Sequence, residues 1–158
     1  MFTKLVSTTN DHTQAMLRVV LGLIFFSHGA QKVLGWFGGY GFTGTMGAFE
    51  KMGIPAVFAV LAIAAEFFVG LGLLIGFLGR IPAFGVLVNM LVAILMVHRH
   101  FGLFMNWGGN QRGEGFEFHL LAIAMALTII IKGSGAFSLD HFMATHSHSS
   151  RAGHLASA

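Results

Sequence analysis

Cysteine is absent from this chain of 158 residues, so it has no disulfide framework, no thiolate metal site and no cysteine nucleophile or redox pair. Any thiol chemistry therefore falls to a partner or a cofactor. Charge is nearly as scarce. Asp, Glu, Lys and Arg make up 9% of the residues, where a soluble domain carries roughly 25%. That is too little to cover a water-facing surface, which excludes a soluble globular domain and a disordered chain even more firmly. Nine Lys and Arg stand against six acids, a net charge of +3. With no basic tract and no aromatic-basic platform, the chain does not read as a nucleic-acid binder. The glycines are too scattered for a phosphate loop, and neither a Rossmann fingerprint nor a Walker motif occurs.

What is there is apolar: 55% of the residues are hydrophobic, and the mean hydropathy is +0.77. The length suits one domain, with room for about four membrane-spanning helices and short connections. The expected fold is all-α, an integral membrane bundle of four transmembrane helices in a lipid bilayer. The seventeen Phe and nine Met read as lipid-facing or core filler rather than a cofactor box.

Residues 1–14 form a polar tail. The first span is expected over about 15–37, and no small-residue cleavage site follows its apolar core, so it reads as a retained span rather than a signal peptide. Gly38 to Gly44 reads as a loop, with a short interfacial helix around Met46 to Met52. The second span, opened by Ile54-Pro55, covers about 54–79, and Arg80-Ile81-Pro82 is a tight polar break. The third span covers 81–98 and the fourth, the shortest, 116–131, joined by the polar loop Asn106 to Glu114. These spans make a membrane domain over 15–141, followed by a His- and Ser-rich flexible tail over 142–158 that carries His146, His148 and His154. Four spans put both termini on one side, side A, and the first and third connections on side B. Side A carries five basic residues (Lys4, Arg18, Arg80, Lys132, Arg151) against four on side B (Lys32, Lys51, Arg99, Arg112), which favours cytoplasmic termini.

Ionisable groups inside a span cost at least about 2.5–3.5 kcal/mol each at mid-bilayer, so they turn inward and find partners. At about 100° per residue, Arg18, His28 and Lys32 share one stripe of the first span, with Gly22 and Gly29 beside it to admit a close neighbour. Glu66 sits in the middle of the second span, too deep to reach water, with Gly70 one turn on. Asn89 is central in the third, and Glu117 and His119 open the fourth. By depth, His28, Lys32, Glu66, Glu117 and His119 converge in one polar pocket opening to side B, beneath loops bearing Trp36, Tyr40 and Trp107. Arg18, Arg80 and Lys132 lie near span ends and read as interfacial anchors. A structural Glu66–Lys32 ion pair would satisfy the same burial argument, and His28 would then be an ordinary core histidine. His98, His100 and His119 lack fixed ligand spacing, so no metal site is assigned.

Leu17-Arg18, Gly22 and Phe26-Ser27-His28-Gly29-Ala30-Gln31-Lys32 resemble the opening signature of the DoxX family of small bacterial membrane proteins. Glu66, followed by Gly70, Gly76 and Arg80, resembles the family's mid-helix glutamate region. Glu117 and then Gly133-Ser134-Gly135-Ala136-Phe137-Ser138-Leu139-Asp140 are similar to its close. The family is similar to the membrane subunits of thiosulfate:quinone oxidoreductase. The resemblance implies a location in the bacterial cytoplasmic (inner) membrane and a redox-complex subunit with a quinone-like ligand as the leading cofactor. His28 and Lys32 would hold its carbonyls, Glu66 would relay protons, and Glu117, His119 and Trp107 would complete the site. Glu66, His28 and Lys32 are thus the expected catalytic residues. The alternative is a non-catalytic membrane anchor or scaffold for a soluble oxidoreductase or stress-response partner. A soluble redox partner fits either reading, and the small-residue faces also suit a homo-oligomer.

Overall fold

The structure is a computed structural model and describes residues 2–146. Six α-helices follow in order: α1 (Phe2–Leu5), α2 (His12–Val33), α3 (Gly41–Lys51), α4 (Ala56–Ile75), α5 (Arg80–Met96) and α6 (Glu117–Lys132). A further helical stretch covers residues 139–146, and no strand occurs among the described residues. The four long helices form a helical membrane bundle. Of these, α2 and α4, with 22 and 20 residues, are long and apolar enough to cross a membrane. The others are shorter, 17 residues in α5 and 16 in α6. At about 1.5 Å per residue these reach roughly 25 Å against a hydrocarbon core of about 30 Å, a mismatch that local thinning or flanking residues absorb.

Several boundaries move from those expected, each for a local reason. The first long helix runs over 12–33, where the span was expected over about 15–37. Asp11 caps it, its carboxylate accepting from the Gln14 amide at 3.0 Å. It stops at Val33 because Gly35 and Phe37 both take left-handed backbone angles, φ 73° and 54°. Helix α3 begins at Gly41, inside the stretch read as a loop. Its glycines cost about 1 kcal/mol each, and docking on α2 outweighs that: Thr45 is buried, and Gly39 lies against the Gln31 backbone where a Cβ would not fit. The second span ends at Ile75, closed by Gly76 at φ 68°. The Arg80-Ile81-Pro82 break is itself the first turn of α5, where proline removes no helical hydrogen bond. His148 and His154 of the tail lie outside the described residues, while His146 stacks on Phe142 with ring centroids 4.0 Å apart.

Glycine sets the tightest contact. Gly29 of α2 rests on the backbone of Glu66 and Phe67, Gly70 of α4 on that of Phe25 and Phe26, and Gly22 on Leu73 and Leu74. A side chain at any of them would force the two helices apart. The core among the helices is apolar and mostly aliphatic, built from Leu21, Phe25, Leu73, Val86, Met90, Ala126 and Ile129. Large apolar side chains also cover the outside, among them Leu61, Phe68, Phe84 and Leu121, as hydrocarbon solvent requires.

Candidate functional site

The polar residues of the spans sort into two clusters at opposite ends of the bundle. At side A, Arg18 is fully buried and works as a cross-link rather than the interfacial anchor its position suggested. Its guanidinium donates to the carbonyls of Leu73 and Leu74 at the end of α4 and of Ser134, Ala136 and Phe137 after α6. Asp140, also buried, accepts from the amides of Leu78 (2.7 Å) and Gly79 (2.8 Å) and from the Ser134 hydroxyl (2.6 Å). Arg80 likewise donates to the carbonyls of Ile130, Ile131 and Ser7. Helix ends leave carbonyls and amides without intrahelical partners, and here side chains satisfy them across the chain. Lys132, by contrast, is exposed, 4.0 Å from Asp11.

At side B the arrangement is open. Lys32 Nζ donates to both Glu66 carboxylate oxygens at 2.5 Å, and Asn89 Nδ2 reaches Glu66 Oε1 at 3.3 Å. The Gly29 contact brings α2 close enough to α4 for this pair to form. Beside it lies a cavity of about 350 Å³, walled by Ile24, Phe25, Met90 and Phe118 and by the polar groups of His28, Lys32, Glu66, Asn89, His98 and His119. This is within the usual size of a small-molecule site, about 300–1,000 Å³. Lys32 also lines a second cavity of about 400 Å³ between α2 and α3, under Tyr40 and Phe49.

His119 is buried, and its Nδ1 has no hydrogen-bond partner. Its ring lies against that of His98, centroids 4.2 Å apart, and the Nδ1–H of His98 donates to the Glu114 carbonyl at 2.8 Å. His28 lines the cavity but is exposed and makes no hydrogen bond among the described residues. Glu117 and Trp107 fall outside the lining. Glu117 accepts from the Met105 amide (2.9 Å) and the Trp107 indole N–H (3.3 Å), so it fixes the α5–α6 loop. Trp107 itself is 88% exposed. Of the residues expected in the pocket, the structure therefore gathers His28, Lys32, Glu66 and His119 and leaves Glu117 and Trp107 on the loop. It adds Asn89, His98 and Glu114. Asn89 carried a usable signal, an amide near the middle of an apolar helix. Glu114 carried none, because its place depends on how the loop folds back. Among the described residues, no group of three or more potential ligands is placed to hold a metal ion.

The DoxX family profile matches residues 13–99, from the start of α2 to just past α5. The chain belongs to the DoxX family. Among its relatives, the inner membrane protein YqjF of Escherichia coli is 29% identical over 80% of this chain and 88% of its own length. The Bacillus subtilis protein named "Putative oxidoreductase CatD" is 29% identical over 81% of this chain and 84% of its own. The uncharacterized membrane protein Rv3486 of Mycobacterium tuberculosis is 32% identical over 78% of this chain and 77% of its own. No solved structure matches the chain. The DoxX match includes Arg18, His28, Lys32, Glu66 and Asn89 and stops before the loop and α6, which supply Glu114 and His119.

Proposed function

We propose that this DoxX protein is a redox-complex subunit of the bacterial cytoplasmic membrane, with cytoplasmic termini, that binds a quinone-like ligand in the side B cavity. The observation that carries this reading is the cavity itself, an apolar slot beside a part-buried Lys32–Glu66–Asn89 constellation. A quinone needs that combination, a flat apolar ring bound by hydrocarbon with donors for its two carbonyls. Lys32 and His28 would donate to the carbonyls. Reduction to the quinol consumes two electrons and two protons. Glu66, released from Lys32 as the ligand engages it, would pass protons inward, and the His119–His98 stack offers a route toward the Glu114 loop. The chain has no cysteine, so the electrons would come from a soluble redox partner. The printed name of the Bacillus relative supports a redox connection.

The test is mass spectrometry and an absorbance spectrum of ligand extracted from the detergent-purified protein, with Glu66→Gln prepared in parallel. Stoichiometric quinone in the wild type and its loss in a folded, inserted variant is the expected result. An empty wild-type protein, or quinone retained in full by the variant, refutes the site. A second reading, a non-catalytic membrane anchor for a soluble partner, draws on Trp107, 88% exposed on a loop pinned by Glu114 and Glu117. It expects Trp107→Ala to lose the partner while the bundle stays intact.

A further inference from the structure

The polar residues lining the side B cavity come from two levels of the bundle. Lys32, Glu66 and Asn89 are joined at the deeper level. His98 and His119 stack on each other nearer the loop, and Met90 and Phe118 are among the apolar walls. Asn89 and His98 stand nine positions apart, roughly 13 Å at helical rise. A six-membered ring with an oxygen at each end, and an ordinary hydrogen bond beyond each oxygen, spans a similar distance, about 11 Å.

The hydrogen-bonding capacity left over at these two levels is mostly acceptor. Asn89 gives one N–H to Glu66 Oε1 at 3.3 Å, since the reverse amide orientation would set two acceptors together. Its Oδ1 is then open, with no partner among the described residues. His98 Nδ1 lies 2.8 Å from the Glu114 carbonyl, which can only accept. In the neutral ring the proton therefore sits on Nδ1 and Nε2 is a bare lone pair. A carboxylate offers about four acceptor sites. Lys32 fills two of those on Glu66 and Asn89 one, which leaves one on Oε2. Against these acceptors stand two unused N–H groups, one on Lys32 and one on Asn89, while His28 and His119 can serve either way.

The two redox forms of a quinone differ in what they need from such a wall. Quinone oxygens only accept, whereas quinol oxygens also donate. A quinone held through the Lys32 ammonium draws it away from Glu66, its counter-ion, but a quinol enters with that pair closed. We infer that Asn89 and His98 are specificity-determining residues that select the reduced form of the ligand, one quinol hydroxyl donating to Asn89 Oδ1 and the other to His98 Nε2. This rests on the quinone-like ligand proposed above for the same cavity. Reduction of the bound quinone takes two electrons from the soluble partner and two protons, and forms the two O–H bonds that these acceptors receive. Binding therefore favours reduction.

The test compares a decyl-substituted benzoquinone with its quinol, under argon, by partitioning between the detergent-solubilised full chain and empty micelles. A potentiometric titration of the bound couple accompanies it. Wild type should bind the quinol about tenfold or more tighter than the quinone, because a site built for a hydroxyl rejects the analogue lacking it. Each tenfold raises the two-electron midpoint of the bound couple by about 30 mV. Asn89→Leu and His98→Phe should each cut the preference several-fold and lower the midpoint, and Asn89→Gln, which keeps the amide, should retain most of it. Both substitutions put an apolar group in or beside an apolar helix and leave Lys32 on Glu66, so the variants should insert and fold. A merely structural role would weaken both forms alike and leave the midpoint unmoved, which overturns the assignment. Equal affinities in wild type, or a tighter quinone, also overturn it while the cavity remains a quinone site. Binding of neither form refutes the quinone site itself, and the selection with it.

Discussion

The two ends of the bundle use similar residues for opposite purposes. At side A, Arg18, Ser134 and Asp140 are buried and their donors and acceptors are matched, mostly to main-chain groups at helix ends. At side B, Lys32, Glu66, Asn89 and His119 border a cavity, and His119 keeps a buried nitrogen with no partner. A cluster whose hydrogen bonds close on the protein, as those of side A do apart from the buried Arg80 Nε, holds it together. One that leaves capacity facing an empty volume can serve something that enters. Burial of charge alone does not distinguish the two, since Arg18 is more buried than Glu66.

The strongest test of this contrast is Arg18→Ala. It takes the guanidinium from five carbonyls, of which Leu73 keeps the Gly76 amide, at about 1–3 kcal/mol for each left buried without a donor. That total rivals a whole protein's margin of about 5–15 kcal/mol. The folded protein should fail to accumulate, and Arg18→Lys should rescue it only weakly, because one ammonium cannot span the same acceptors. Size-exclusion chromatography of the membrane extract reads both. Next is Asp140→Ala, which leaves Leu78 N, Gly79 N and Ser134 Oγ without their acceptor. A loss of about 3 kcal/mol or more is expected in thermal unfolding in detergent, with ligand retention unchanged in the folded fraction. If Asp140→Ala instead removed ligand and left stability intact, the division of labour between the two ends would be wrong.

At side B the signs reverse. Glu66→Gln leaves the half-exposed Lys32 ammonium without its counter-ion, so stability should fall by only about 1–3 kcal/mol, with the ligand lost. His119→Leu removes the unpartnered nitrogen, so the melting temperature should hold or rise while ligand retention drops. A lower melting temperature there would show that His119 is structural. The smallest effect belongs to Glu117→Gln. It weakens the hold on Met105 and Trp107 by about 1 kcal/mol and should leave the cavity's ligand in place.

The helical bundle was legible because its signals are local. Long apolar runs and scarce charge act within a few residues of where they stand. The helix ends were less so. The Asp11 cap went unread in the polar tail, and α3 runs through glycines that propensity disfavours, held by its packing on α2. At the candidate site, the depth argument brought Lys32 and the deeper Glu66 into one pocket because both lie on regular helices of known rise. It misjudged Glu117, since a residue in the first turn of α6 can face either the bundle or the returning loop, and the 102–117 pairing decides which.

Taken alone, the amino-acid sequence determined that this chain lives in a membrane, that it is helical, and that Glu66 must find a partner, because hydrocarbon tolerates neither free backbone polar groups nor a lone charge. Only the tertiary structure decided which partner each charge took. Arg18, His28 and Lys32 share a stripe of α2. Yet Arg18 closed the knot with α4 and the 133–140 turn, Lys32 met Glu66, and His28 was left facing the cavity. Those assignments depend on distances of a few ångströms between helices remote in sequence, set by the glycine contacts of α2 and α4. Hydrogen bonds and ion pairs fade over that range, so periodicity along one helix can nominate the candidates and only the packing selects among them.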